Sequence, residues 1–229
     1  MVNLYPMLLA IVSLIYLTVT RSDISHAVGM VSKFMDAPRS VHYDAVLRIL
    51  RYVKGTLYHG LHYSSRSSLK LHAYSDADWV GDLTDRCSIT GFYFLLGTSL
   101  VSWRSKKQDV VSRSSTEAEY RARANTTCEL VWLRWLLADM DAPQPTANLL
   151  YCDNHCAMYI AHNDVLHECT KHIEIDCHIT CQHLKKENLK LFSISSADQL
   201  ANMFTKTHPL GHLRDLISKL QASSLPPRV

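Results

Sequence analysis

Residues 69–79 read Leu-Lys-Leu-His-Ala-Tyr-Ser-Asp-Ala-Asp-Trp, and this stretch constrains the fold more than any other. Leu69, Leu71 and Ala73 alternate with Lys70, His72 and Tyr74, which is the two-residue period of a half-buried strand. The strand predicted over 69–75 runs straight into acid. Asp76 and Asp78 are thereby delivered to the mouth of a sheet, where backbone geometry holds oxygen ligands still for a hard cation.

An Asp-x-Asp pair is open to several readings. As a calcium loop counted from Asp76 it has Gly81 at the sixth position, but Val80 and Cys87 stand at the fifth and twelfth, where ligands are needed. Asp76-Ala77-Asp78-Trp79-Val80 also resembles the nucleophile motif of haloacid-dehalogenase-type phosphatases, in which the first carboxylate attacks phosphorus. The plainest reading is a polar turn closing a strand.

Beyond 79 the period-2 pattern returns over 88–96 and 99–103, with Gly97-Thr98 as a two-residue hairpin turn, so 69–103 reads as a three-stranded meander. The period then changes. Ala118, Ala122, Leu130, Leu133 and Leu137 recur at helical spacing and predict a long helix over 116–137, ended before Pro143. A strand over 148–152, helices over 154–162 and 170–186, a strand over 189–194 and a helix over 196–206 follow; 210–220 reads as helical and 223–229 as frayed. Three antiparallel strands followed by alternating helices and strands make an α/β domain, a mixed five-stranded sheet flanked by helices.

Ahead of that sheet, helices are predicted over 8–17, 23–35 and 41–54, the last stopped by Gly55. They carry more apolar surface than three short helices cover among themselves, so the layer is expected to pack on something further. The apolar run over 4–18 falls short of the roughly 20 residues a spanning helix needs, and is read as a buried helix rather than a membrane segment. The 47% hydrophobic and 20% charged content is globular, and a formal charge of +3 permits nucleic-acid contact without requiring it. Seven cysteines, an odd number scattered through long elements, point to a reducing compartment rather than a disulfide framework.

Two acids are candidate partners for Asp76. Glu119 lies in the first turn of the long helix, and Asp153 directly follows the strand Leu149-Leu150-Tyr151-Cys152. Each has a structural explanation of its own: Glu119 three residues after Thr116 fits a capping box, and Asp153 before Asn154 fits a helix cap. They become a cluster only if the fold brings them within reach of one cation. Arg104, Lys106, Lys107 and Arg113 form the densest basic stretch, either a solvated connector or a phosphate-binding rim. His167, Cys169, His172, Cys177, His178, Cys181 and His183 fit none of the standard zinc spacings, so structural zinc is not expected. Trp132 and Trp135 read as helix-packing residues.

Several collinear strings carry a family resemblance. Tyr74-Ser75-Asp76-Ala77-Asp78-Trp79, Ser102-Trp103-Arg104-Ser105-Lys106-Lys107-Gln108, Ser114-Ser115-Thr116-Glu117-Ala118-Glu119-Tyr120-Arg121, Tyr151-Cys152-Asp153-Asn154 and Thr170-Lys171-His172-Ile173 resemble the ribonuclease H domain of copia-type retrotransposon polyproteins. Leu14-Ile15-Tyr16-Leu17-Thr18-Val19-Thr20-Arg21 and Arg48-Ile49-Leu50-Arg51-Tyr52-Val53-Lys54-Gly55-Thr56 resemble the end of that family's reverse transcriptase. The resemblance implies a ribonuclease H-like domain over 63–207, preceded by a helical reverse-transcriptase remnant over 1–62 and followed by a C-terminal helix and tail over 208–229. It implies cleavage of the RNA strand of an RNA/DNA hybrid with two magnesium ions, manganese being the alternative, on Asp76, Glu119 and Asp153. It further implies the missing reverse-transcriptase domains as partners, no membrane, and a cytoplasmic, particle-associated or nuclear rather than secreted product.

In one place the chain departs from the family pattern. Where the family has Asp-Gln-x-Ala-Asp-x-x-Thr-Lys, this chain reads Asp198-Gln199-Leu200-Ala201-Asn202-Met203-Phe204-Thr205-Lys206, with asparagine at the fourth ligand position. An amide oxygen still coordinates a cation or orients water, but brings no charge. Weakened metal binding and slowed turnover are expected; at the extreme, the chain is a catalytically poor nucleic-acid-binding remnant.

Overall fold

The computed structural model describes residues 4–81, 85–155, 158–159, 174–219 and 222–224. In chain order the elements are α1 (Leu4–Leu17), a 3-10 turn (Ser22–Ile24), α2 (Ser25–Ser32), α3 (Ser40–Gly55), β1 (His59–Leu61), β2 (Leu71–Asp78), β3 (Ile89–Leu96) and β4 (Ser99–Lys107). There follow α4 (Ser115–Asp139), β5 (Asn148–Cys152), α5 (Glu174–Lys185), β6 (Leu189–Ser193), a second 3-10 turn (Leu200–Phe204), α6 (Leu210–Lys219) and β7 (Ala222–Ser224). They form two compact units, one of Met1–Tyr63 with Thr207–Val229 and one of Ser64–Lys206.

In the first unit, α1, α2 and α3 bury Met7, Ile11, Leu14, Val28, Val31, Val46 and Ile49 against one another. Arg21 and Asp23 pair at 2.7 Å, the Tyr52 hydroxyl donates to Asp23 Oδ2 at 2.8 Å, and Arg21 donates to the Thr56 carbonyl. This ties the start of α2 to the end of α3. Tyr5, Leu9 and Tyr16 leave an apolar stripe on α1 exposed. No described helix is long and apolar enough to cross a membrane. Residues 223 and 224 of the tail expected to fray are instead part of β7, because β7 pairs antiparallel with β1, His59 opposite Ser224, and gives both backbones partners; 225–229 lie outside the described residues.

The second unit is a mixed sheet in the order β4-β3-β2-β5-β6. β2, β3 and β4 run antiparallel, while β5 and β6 lie parallel to β2, as the sequence order implies. Leu71, Ala73, Phe92, Phe94, Leu150 and Cys152 face a core completed by Tyr120, Leu130 and Leu133 of α4 and Cys177 of α5. On the opposite face Tyr74 stacks on Tyr93 at 4.7 Å and on Tyr151 at 4.6 Å. Gly97, at φ +62, makes the expected β3–β4 turn, where a Cβ would strike Ser67 and Ser68. This is the α/β class with a helix-flanked five-stranded sheet implied by the family resemblance.

Three differences bear on the site. β2 does not stop before the acids but carries both, pairing Asp76 with Gly91 and Asp78 with Ile89. The helix expected over 196–206 shrinks to the 3-10 turn Leu200–Phe204, entirely buried and started by Gln199, whose side chain accepts the Ala201 N–H. The expected packing of Trp132 and Trp135 does not occur: they are 52% and 68% exposed on the outer side of α4. Residues 156–157 and 160–162 of the predicted 154–162 helix, residues 170–173 of the predicted 170–186 helix, and His167, Cys169 and His172 of the His/Cys run lie outside the described residues.

Candidate metal centre

The register of the sheet sets the site. Tyr74 pairs with Tyr151 across β2 and the parallel β5, so two residues further along each strand Asp76 and Asp153 stand side by side at the carboxyl ends. Glu119 enters from α4. Ser114 caps that helix by accepting the Glu117 N–H, and Glu117 answers by accepting the Arg113 N–H at 2.8 Å and pairing with Arg121 at 2.9 Å. The capping acid is therefore Glu117, and Glu119, which sequence spacing allowed as a cap, is released to point at the sheet. Its Oε1 accepts the Ala77 N–H at 3.1 Å.

Asp76, Glu119 and Asp153 each bring a carboxylate oxygen within 4.8 Å of the others, the only such group among the described residues. Asp76 is fully buried, Glu119 is 6% exposed, and Asp153 is the half-buried outer member. Burial pushes Glu119 from 4.5 up to about 8, and the Asp76 carboxylate adds to the push against the Ala77 N–H and the Arg123 guanidinium. Burial also raises Asp76, which Lys206 and Thr205 oppose and Asp153 reinforces. Three carboxylates this close do not all stay ionised without a cation among them. Their hard oxygen donors suit magnesium or manganese, so the residues present fit the divalent ions that the resemblance implies.

The buried turn at 200–204 and the two residues after it grip Asp76 from the other side. Thr205 Oγ1 donates to Asp76 Oδ2, and Lys206 Nζ lies 3.2 Å from Asp76 Oδ1 and 2.7 Å from Asn202 Oδ1. The Asn202 amide donates to the Ser196 carbonyl at 2.9 Å, and Ser196 donates to Asp153 Oδ2 at 2.8 Å. Gln199 Nε2 donates to the Ser75 carbonyl at 2.9 Å, pinning the segment to β2. The close approach depends on Gly91: a Cβ there would stand 2.5 Å from Thr205 Cγ2 and 2.9 Å from Phe204 Cβ. Asn202 thus joins the site through its oxygen, which faces an ammonium ion. Asp78 is not a member of the acid group.

Sequence reasoning gave no role to Thr205, Lys206 or Ser196. The signal for Lys206 was its place four residues after Asn202. Arg123, fully buried behind Glu119 with its guanidinium 5.1 Å from the Tyr120 ring, left none that could be read from helix periodicity.

Arg104, Lys106 and Lys107 line one cleft of about 220 Å³ with Gln108, Arg121 and Asn125, while Arg113 is exposed on the loop before α4 and is not part of that lining. Lys107 also pairs with Asp85. Buried Gln108 fixes the base of this loop, donating to Thr90 Oγ1 at 3.1 Å and the Ala118 carbonyl at 2.9 Å and accepting from Ser112. Trp79 Nε1 donates to the Ser112 carbonyl, linking the loop to the end of β2.

No family model matches the chain. The retrovirus-related Pol polyprotein from transposon RE1 of Arabidopsis thaliana is 43% identical over 215 residues, covering 94% of this chain and 15% of that protein. The Pol polyprotein from transposon RE2 of the same plant is 41% identical over 215 residues, with the same two shares. The chain therefore spans about 15% of the length of these relatives. A solved structure of LC11-RNase H1, isolated from compost, gives a TM-score of 0.43 at 16% identity, covering 60% of this chain and 93% of that one.

Proposed function

The chain belongs to the family of copia-type retrotransposon Pol polyproteins, and from that premise we propose that it is a ribonuclease H-type nuclease cleaving the RNA strand of RNA/DNA hybrids. The observation that carries the reading is the meeting of Asp76, Glu119 and Asp153, from β2, α4 and the end of β5, within 4.8 Å. We further assign 63–207 to this activity, 1–62 to the end of a reverse transcriptase, and 208–229 to a C-terminal helix and tail. The remaining polymerase domains would be partners. The thiols of Cys152, Cys177 and Cys181, all buried and none in a disulfide, suit a reducing interior of the cell.

Asp76, Glu119 and Asp153 would hold two magnesium ions, or manganese in their place, with Asn202 contributing an uncharged oxygen toward the second. When bound, such ions lower the pKa of an attacking water and neutralise charge on the leaving oxygen. The protein's part is positioning. Thr205 fixes one Asp76 oxygen, the Ala77 N–H fixes one Glu119 oxygen, and Ser196 fixes one Asp153 oxygen, so the acids are oriented before substrate arrives. Arg104, Lys106 and Lys107, with Arg113 on the adjacent loop, would take backbone phosphates. Hybrid would be recognised through groove shape and the 2′-hydroxyls of one strand rather than base identity.

The test is magnesium-dependent cleavage of an end-labelled RNA/DNA hybrid, with the matching DNA duplex as control. Asp153→Asn, at the least buried acid, is expected to abolish hybrid cleavage while the protein stays folded. Cleavage that survives this substitution removes the proposal. A second reading rests on Asn202: a binding remnant would retain hybrid but not cut it in the same assay.

A further inference from the structure

The two oxygens of Asp76 have different partners: Thr205 Oγ1 donates to Oδ2, and Lys206 Nζ sits between Oδ1 at 3.2 Å and Asn202 Oδ1 at 2.7 Å. One Asp76 oxygen also gathers with an oxygen of Glu119 and one of Asp153. A divalent ion shared by Asp76 and position 202 would need the same two oxygens that the ammonium now holds. Two cations do not share that space: they repel, and the lone pairs aimed at one are not aimed at the other.

Charge favours the lysine over a second ion. Asp76, Glu119 and Asp153, fully ionised, carry three negative charges, Asn202 adds none, and Lys206 returns one positive. The balance is met by a single divalent ion. The lysine is nevertheless able to leave, since its side chain is 41% exposed and ends a flexible four-carbon stem whose head is readily rehydrated.

Resting on the reading of the acid group as a divalent-ion site, we propose that Lys206 is a resident monovalent cation on the Asn202 side of Asp76, which a second divalent ion must displace. The chain without nucleic acid then holds one divalent ion tightly and a second weakly. Lys206 is a positioning residue: it holds Asp76 Oδ1 and Asn202 Oδ1 in place before the second ion enters, and it sets how much of that ion is needed.

Manganese titration of the full chain without nucleic acid, followed by the electron paramagnetic resonance of free Mn²⁺ and by calorimetry, tests this. Wild type is expected to bind one ion at least about tenfold more tightly than the second. Lys206→Met should tighten the second ion about tenfold and narrow the gap, whereas Lys206→Arg, which keeps the charge, should preserve the wild-type pattern. Lys206→Gln, which keeps a donor toward Asp76 without the charge, must behave as methionine does, and so covers a folding failure of the first variant. A second-ion affinity unchanged in both uncharged variants overturns the role of Lys206. A wild-type chain that binds no more manganese than Asp153→Asn overturns instead the underlying reading of the acid group.

Discussion

Replacing Glu119 by glutamine should make the metal-free protein more resistant to unfolding at neutral pH while taking one negative charge from the cation site. Burial beside Asp76 holds the Glu119 carboxyl at about 8, against an ordinary 4.5. Between those values the folded chain keeps a proton that the unfolded chain releases, so stability is intact below about 4.5 and declines as pH rises toward 8. From 4.5 to pH 7, at about 1.4 kcal/mol per unit, the decline from this one group is about 3 kcal/mol. Glutamine keeps an oxygen for the Ala77 N–H, fits the same space and does not titrate. Urea unfolding of both proteins in a chelator, at intervals from pH 4.5 to 8, should therefore show the wild type losing about 3 kcal/mol more than the variant by pH 7. Residual slope in the variant comes from other buried groups, among them Asp76 and Asp176, which burial also raises. Magnesium should restore the wild type at pH 7 and leave the variant nearly unchanged. Parallel pH profiles for the two proteins would refute the claim that Glu119 is buried against a neighbouring charge.

Other changes test the remaining parts of the site. Asn202→Asp restores a fourth charge and should tighten magnesium binding about tenfold and speed hybrid cleavage; no gain in either would show that the amide oxygen serves as well. Joint alanine replacement of Arg104, Lys106, Lys107 and Arg113 should weaken hybrid binding at low salt and flatten its salt dependence by about one logarithmic unit for each phosphate no longer neutralised, as read from anisotropy titrations at several ionic strengths. Gly91→Ala drives a methyl group into Phe204 and Thr205, so it should lower stability by about 1–3 kcal/mol and loosen the grip on Asp76, measured by denaturant unfolding and manganese affinity.

Much of the sheet was legible because alternation and periodicity are local. Leu71 and Ala73 on one face of β2, the Gly97-Thr98 turn, and the apolar spacing along α4 each announce their element within a few residues. What was not legible depended on distant partners. β2 continues through Asp76 because β3 offers Gly91 opposite and the 200–204 turn covers the acid, so a charged residue is held inside a strand where pattern alone would stop it. The start of α4 was placed at Thr116 by spacing, whereas Ser114 makes the cap and so decides that Glu117 rather than Glu119 is consumed there. Residues 196–206 look helical one by one, yet Gln199 spends its side chain on Ser75 and Ala201, and only a short 3-10 turn remains. The pairing of β1 with β7 joins three-residue strands far apart in the sequence, too short to show a period.

The Thr205 hydroxyl reaches an acid 129 positions earlier in the chain. A ribosome making this protein therefore releases Asp76 long before it releases the residues that hold it. Throughout that interval the partly made polypeptide has the sheet's central strand but no clasp on its carboxylate, and α4 can pair with β2 and β3 while the acid group is still open. The acid group is then complete only once residues 199–206 have emerged, so the site is among the last parts of this unit to be assembled.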